Sequence, residues 1–392
     1  MNAAYLVDYA RSAFTRAHPR KPEVDAWSGQ RGDALLAQVI DALLTRRGIE
    51  GDLIEDLGVG CALPVKEQWS FGGRYPQWLS RLGVGCASRQ IDQQCGSSLA
   101  ALRGTVREIQ AGAIQAGVAG GVENMSRVPM GPSLFQEGVL TVPEALQSTA
   151  ELDLSVAMNM GLTAERLARE SGITREAMDA FALRSHQRAA RAEAAGWFDG
   201  ERLALTNLAG EVVAADANIR PDTSLERLAG LDPAFVEGGR VTAGNSSPLT
   251  SGAGAALVMS EDALARHGLS PLARVVEVVD CGVTPERMGA GAAAAIERVL
   301  GAAGLGIDDI DAWEINEAFS AVPLYAMQTL GLDPERVNVF GGALALGHPL
   351  GATGIRLAGT LARTLQHRQG RYGCAAACIG GGQGIAMILE RC

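Results

Sequence analysis

Aromatic residues make up only 5% of the 392-residue chain, whereas glycine occurs 49 times. A core short of large rings closes by bringing backbones together, through tight turns and small-residue helix contacts. Basic charge is in deficit: 34 Lys and Arg stand against 44 Asp and Glu, a formal charge of -10. That balance argues against a nucleic-acid polyanion as the main partner and leaves room for a local basic patch facing a phosphorylated small molecule.

Cysteines at the spacing of a small disulfide scaffold are missing. Cys61, Cys86, Cys95, Cys281, Cys374, Cys378 and Cys392 form an odd set. The N-terminus, Met1 to Ala10, alternates like a strand and carries Asp8 early, unlike a secretory or transit leader. Free thiols in a reducing, cytoplasmic setting are expected. Uninterrupted apolar runs are missing too. The charge-free stretches 338–355 and 372–389 reach the length of a membrane span, but glycines break both, and His348 and Pro349 break the first. They read as strand and turn segments of a buried sheet, so no membrane partner is expected.

What is present is length enough for two or three domains or two fused halves. Folding should then bury roughly three quarters of the unfolded surface, without staples or metal. Helical periodicity marks Asp33 to Arg47, with Leu35, Leu36, Val39, Ile40, Leu43 and Leu44 on one stripe and Gly48 as a stop. The spacing predicts strands at 57–62 and 114–122 around an apolar helix from Leu99 to Ala111. Periodicity fades from Pro129 to Ser155, as in a functional lid or binding loop. Helices at 162–170 and 175–195 follow, the second capped by Thr174. Strand and helix then alternate, with a strand at 336–340 and helices at 318–330 and 351–365, which predicts α/β architecture on mostly parallel sheets. The surroundings of Cys95 and of His348 repeat one order, small-residue turn, apolar helix, strand ending in glycines, and read as a duplicated half.

Four places carry candidate chemistry. Cys95 stands where a strand ends and a helix begins, so unpaired N–H groups would lower its pKa and favour the thiolate; the alternative is a small buried hydrophobe. His348, between Gly347 and Pro349, is either a base brought close by glycines or a structural histidine satisfying a turn. Cys378 opens Cys378-Ile379-Gly380-Gly381-Gly382-Gln383-Gly384, where exposed N–H groups suit a developing oxyanion, or else a tight hairpin buries the thiol. Asn316 follows a strand and would ordinarily cap the next helix. A zinc site lacks ligand spacing. Gly289-Ala290-Gly291-Ala292-Ala293-Ala294 matches a dinucleotide fingerprint, but the strand before it ends near Cys281 and Pro285 interrupts the approach.

Together these segments resemble the thiolase family: Cys95-Gly96-Ser97-Ser98, Asn316-Glu317-Ala318-Phe319, Gly341 to Gly351 around His348, and Cys378 to Gly384. Gly120 to Ser126, Met160 to Glu165, Phe181 to His186 and Val241 to Ser247 add to the likeness, in the family's order and over nearly the whole chain. The resemblance implies a thiolase-like α/β fold, two similar βα halves in a five-layered αβαβα core with an inserted loop domain. Its implied division is 1–121 and 249–270 for the N-terminal half, 122–248 for the insertion and 271–392 for the C-terminal half.

The resemblance also implies CoA-dependent cleavage of 3-oxoacyl-CoA to acyl-CoA and acetyl-CoA, or the reverse condensation, through an acyl-cysteine. Cys95 is the implied nucleophile, His348 its activator and Cys378 the acid and base. Asn316 would hold a water for the enolate, and the N–H groups of Cys95 and Gly380 would form the oxyanion hole. Arg220, Ser247, Ala243, Gly244, Met288 and Met158 are the implied CoA or substrate contacts. No cofactor or metal is expected, CoA being a substrate. Partners would be acyl-CoA, CoA and further copies of the chain, as a homodimer or homotetramer.

Departures from the family pattern are Ser98 for a glycine, Pro248 after Ser247, Ser251 for an Asp, Arg227 for a Ser, Met158-Asn159 for Tyr-His, and Ala292 for a Pro. The Met158-Asn159 change favours a broader or longer 3-oxoacyl substrate over acetoacetyl-CoA. Two competing readings are a decarboxylating ketoacyl synthase, which carries two histidines where this chain offers one and Cys378, and a non-catalytic acyl-CoA binder, which has no need of two reactive thiols.

Overall fold

The computed structural model describes residues 2–131, 133–147, 149 and 151–392. Strand β1 (Ala4–Ser12) comes first, then helix α1 (Gly32–Arg47), whose expected stripe from Leu35 to Leu44 is buried. Gly48 ends α1 in the left-handed region at φ 64°, a conformation glycine adopts without a Cβ clash. Next are β2 (Asp56–Gly60), β3 (Ala87–Ile91), α2 (Ser97–Ala111) and β4 (Ala116–Asn124). The chain then leaves the sheet. The aperiodic stretch from Pro129 to Ser155 holds one-turn helices at Ser133–Gln136, Glu144–Gln147 and Leu154–Ala157; its Pro132, Ser148 and Ala150, like Met1, lie outside the described residues. Helices α3 (Met160–Glu170) and α4 (Arg175–Ala194) follow, and the Thr174 hydroxyl accepts from Ala177 N–H as the cap of α4.

The return runs β5 (Thr250–Ser260), β6 (Ala273–Gly282), α5 (Gly291–Ala303), β7 (Ile310–Ile315), α6 (Ala321–Leu330), α7 (Leu350–Arg368), β8 (Tyr372–Ile379) and β9 (Gln383–Arg391). Hydrogen bonds order the strands β7-β8-β9-β6-β1-β5-β4-β2-β3. Outward from the centre, the two sides match. β1, β5, β4 and β2 pair antiparallel, antiparallel, parallel, and so do β6, β9, β8 and β7. A short antiparallel contact of Tyr5 and Leu6 with Arg274 and Ala273 joins the halves.

Two expectations are corrected here. Among the described residues parallel pairing joins β2 with β3 and β4, β7 with β8, and, in short contacts, β1 with Arg202–Leu203 and Trp313 with Val337; the pairings at the centre are antiparallel. The β8–β9 connection is a hairpin through Gly381 and Gly382, both at positive φ, and a connection that short admits only antiparallel strands. The strand expected at 336–340 is reduced to one bridge, Val337 to Trp313, at the place where β3 pairs with β2 in the other half. Asn338 explains the loss. It turns at φ 49°, and its side-chain amide takes the N–H and C=O of Ile315 that a strand would have used.

Side-chain alternation sorts the strands into three cores. Along β8, Ala375, Ala377 and Ile379 enter the central one, while Cys374, Ala376 and Cys378 face the outer one of the second half. The central core holds Leu99, Leu102 and Val106 of α2 and Ile355, Leu361 and Leu365 of α7 between Val258 and Met387. Outside, α1 packs Val39 and Leu43 on Val118 and Leu257, and α5 packs Ile296 and Val299 on Ile315 and Ile388. The result is five layers, αβαβα, with α7 buried on all sides; each such Leu or Ile contributes roughly 1.5–3 kcal/mol by leaving water. The glycines before α5 serve this packing, since a Cβ on Gly291 would sit 2.1 Å from the Gln383 carbonyl oxygen. That accounts for the fingerprint-like sequence without a dinucleotide.

Candidate active site

Cys95 lies in a single 3-10 turn, Gln94–Gly96, between β3 and α2. Gln94 takes φ 44° there, and its amide donates to the Ala62 carbonyl and the Asp92 carboxylate. Gly96 has no side chain for a steric reason: a Cβ would stand 2.4 Å from Ile379 Cδ1. That close approach presses the turn against the end of β8, where Cys378 sits. Two distant segments thus meet through a missing methyl group.

Interaction with the backbone N–H groups of Gly380 and of Cys95 itself favours the Cys95 thiolate. The expected acidic thiol is nonetheless corrected. Burial with Ala17, Ala62, Met125 and Leu350 pushes it up to about 11, the two N–H groups oppose the rise, and the Glu123 carboxylate adds to it. At rest the thiol keeps its proton and needs a base. Cys378 is fully buried at the hairpin, as the hairpin reading expects. Burial pushes its thiol up as well, and the nearby Cys95 pushes it further.

His348 stands on the turn leading into α7. Its Nδ1 is 2.6 Å from Thr353 Oγ1, and the Thr353 hydroxyl is 2.9 Å from the Pro349 carbonyl oxygen. If that hydroxyl donates its one proton to Pro349, Nδ1 carries the ring hydrogen and Nε2 keeps its lone pair; the network assigns this tautomer. Burial, then the Arg356 charge, lowers the imidazole pKa to about 3, so it is neutral near pH 7. The His348 N–H donates to Thr250 Oγ1 at 3.0 Å.

Asn316 does not cap the following helix. Its N–H extends the β7–β8 pairing to the Ala376 carbonyl, and α6 begins only after Ser320. The side chain is therefore free, and Asn316 Nδ2 lies 3.2 Å from His348 Nε2. Its Oδ1 is buried and has no hydrogen-bond partner among the described residues, the kind of orphan acceptor that a water or a ligand satisfies.

The strip Val241 to Ser247 runs beside this asparagine. Ser247 N–H donates to the Ala318 carbonyl and Ser320 N–H to the Asn245 carbonyl. Glu165 of α3 accepts from Arg240 and Val241 N–H, and Asp179 of α4 accepts from the Asn245 amide, so the excursion's helices place the strip. Ala243 is exposed, Gly244 and Ser247 are half-buried, and the apolar Phe235, Val236 and Leu249 are exposed. Arg220 is exposed, and its N–H donates to His186 Nδ1. Met158 is half-exposed at the end of a one-turn helix, whereas Met288 is buried in the outer core of the second half. Among the described residues no group of three or more His, Cys, Asp and Glu is arranged to hold a metal.

The model of the family "Thiolase, N-terminal domain" matches residues 6–262, and that of "Thiolase, C-terminal domain" matches 269–391. The chain belongs to the thiolase family. It is similar to a 3-ketoacyl-CoA thiolase of Bacillus subtilis, 38% identical, and to a beta-ketoadipyl-CoA thiolase of Escherichia coli, 41% identical, with all of each chain covered. Among solved structures it is similar to human mitochondrial 3-ketoacyl-CoA thiolase in complex with CoA, at TM-score 0.87 and 32% identity, covering 100% of this chain and 98% of that one.

This thiolase uses its departures mostly for packing. Ser98 Oγ accepts from Ile355 N–H, so the extra hydroxymethyl group ties α2 to α7. Ser251 is buried and donates to Asp25, and the Pro248 carbonyl accepts from Thr250. Asn159 caps α3 through its side-chain oxygen, Ala292 is buried in the outer core, and Arg227 pairs with Asp222 on the surface. Sequence reasoning missed Thr353, Thr250 and Glu123 as partners of the site. Thr353 is five positions after His348, on the first turn of α7, close in the chain to the histidine; Thr250 and Glu123 come from strands that only folding brings near.

Proposed function

We propose that this thiolase transfers an acyl group between a 3-oxoacyl-CoA and CoA through Cys95. His348 Nε2 takes the Cys95 proton as the sulfur attacks the 3-keto carbon. The N–H groups of Cys95 and Gly380 hold the resulting oxyanion. The C2–C3 bond then breaks, its electron pair passes to the thioester enolate of acetyl-CoA, and Cys378 protonates C2. Asn316, with His348, stabilises that enolate oxygen. The thiol of an incoming CoA gives its proton to Cys378 and attacks the acyl-cysteine; the Cys95–acyl bond breaks, acyl-CoA leaves, and the Cys95 thiolate takes back its proton from His348. Condensation is the reverse, and separate half-reactions give ping-pong kinetics.

The observation that carries this reading is the meeting of the Cys95 turn with the end of β8, where a Cβ on Gly96 would stand 2.4 Å from Ile379, together with Asn316 Nδ2 at 3.2 Å from His348 Nε2. The Val241 to Ser247 strip would carry pantetheine, with Arg220 toward the nucleotide end. CoA serves as substrate, and the reaction as written calls for no other cofactor. The free cysteines support a cytoplasmic setting. Among the described residues no helix is long and apolar enough to cross a membrane. A homo-oligomer is supported by the open edge of β3 beside an exposed group of Trp69, Phe71, Trp78 and Leu79.

The test is loss of enolate absorbance when the enzyme meets a chain-length series of 3-oxoacyl-CoA esters plus CoA. Activity at several lengths supports the reading; constant absorbance across the series overturns it.

A further inference from the structure

We propose that Glu123 and Glu317, one from each half, are positioning residues that clamp the His348 turn at its two ends; this rests on the roles given above to Cys95, His348 and Asn316. Glu317 Oε2 accepts from Leu344 N–H at 3.1 Å, four residues before the histidine. Glu123 Oε2 accepts from Gly351 N–H at 2.9 Å, three residues after it. Both carboxylates are buried, at 0% and 1% exposure.

Each also grips a second part of the site. Glu123 accepts from Ala62 N–H at 2.9 Å, from Leu63 N–H at 3.3 Å and from the Gln68 amide at 2.7 Å. Ala62 lines the apolar cluster around Cys95, together with Leu350 of the turn. Glu123 thus holds the wall of the nucleophile's pocket and the start of α7 with one carboxylate. Glu317 follows Asn316 directly and accepts from the Asn338 amide at 2.7 Å and the Ser185 hydroxyl at 2.6 Å. It holds the asparagine loop, the chain entering the His348 turn and helix α4 together.

The hydrogen-bond partners are backbone N–H, amide and hydroxyl groups and the Cys61 thiol rather than cations. A buried carboxylate is expensive unless such donors satisfy it, and its geometry is then tightly fixed. Cys95 arrives from the first half and His348 from the second, with no covalent link closer than the whole intervening chain. A displacement near 1 Å between reacting groups can lower a rate about 100-fold. The clamp sets that separation.

Glu123→Gln and Glu317→Gln test it, with wild-type thiolysis as control. Each variant is measured for kcat and KM, for Tm, and for the pH dependence of Cys95 alkylation by iodoacetamide. Kcat should fall about 10- to 100-fold in both, with KM for CoA within about twofold. The alkylation midpoint should move to lower pH in Glu123→Gln, where a charge facing the sulfur is removed, and stay in place in Glu317→Gln. Folded variants with wild-type kcat, or a kcat loss accounted for wholly by unfolded protein, overturn the clamp. Absence of thiolysis by the wild type overturns the reaction instead, and the alkylation midpoints still judge Glu123. Should a Gln variant not fold, the Asp variants keep the charge but withdraw it by one methylene; kcat must then fall with the midpoint of Cys95 unchanged, and wild-type kcat overturns the proposal.

Discussion

Asn316 Nδ2 faces His348 Nε2 at 3.2 Å, while Thr353 occupies the other ring nitrogen. The amide can only donate there, so it reads the imidazole as neutral with its lone pair turned inward. Asn316→Asp puts an acceptor in the same place and should force a proton onto Nε2. Thiolysis should fall at least about 100-fold, and the histidine should titrate several pH units higher by NMR. An unshifted imidazole would remove the tautomer assignment.

The two sulfurs should separate by half-reaction. Cys378→Ala should still accept a labelled acyl group from acyl-CoA at Cys95 but lose carbon–carbon cleavage and condensation by at least about 1,000-fold. Cys95→Ser should lose acylation itself, because a hydroxyl in that pocket is far less ionised than a thiol. Mass spectrometry of trapped acyl-enzyme checks both. Equal loss of both steps in Cys378→Ala contradicts its role.

The pH dependence follows from burial. Burial, and then the Glu123 carboxylate, push Cys95 up to about 11. Its thiolate fraction therefore grows with pH, and alkylation in the absence of substrate should rise about tenfold per unit between pH 7 and 9. His348 and His186 are pushed down, to about 3 and about 4, mainly by burial. The unfolded chain protonates both near 6.5. As pH falls from 6.5 towards 4 the unfolded state holds more protons, so stability must drop. Tm measured from pH 7 to pH 4 should fall, with a shallower slope in His186→Gln.

Assembly is tested at the aromatic surface. Trp69 and Phe71 lie 5.6 Å apart, and Trp78 6.1 Å from Phe71, with all three about half exposed. Trp69→Ser with Trp78→Ser should shift sedimentation toward the monomer while leaving far-UV CD unchanged. Unaltered sedimentation would place the contact elsewhere.

Local patterns and tertiary packing contributed differently to this protein. Periodicity marked α1 because its apolar residues recur on one helical stripe, and the glycines after Cys378 marked a turn because backbone geometry is local. The motifs around Cys95, Asn316, His348 and Cys378 were legible because each sits at a strand or helix end, where turn chemistry limits the residues allowed. The strand expected at 336–340 was lost to the Asn338 side chain, whose partner Ile315 is 23 positions away. The acidity of Cys95 was misjudged for the same reason: helix ends are visible in sequence, but the cluster that desolvates the sulfur is drawn from Ala17, Ala62, Met125 and Leu350. Sequence determined which groups could react, because residue type and local backbone preference are written along the chain. Only the folded layers decided their protonation, their tautomer and the carboxylates that hold them, because those depend on burial and on partners brought together from both halves.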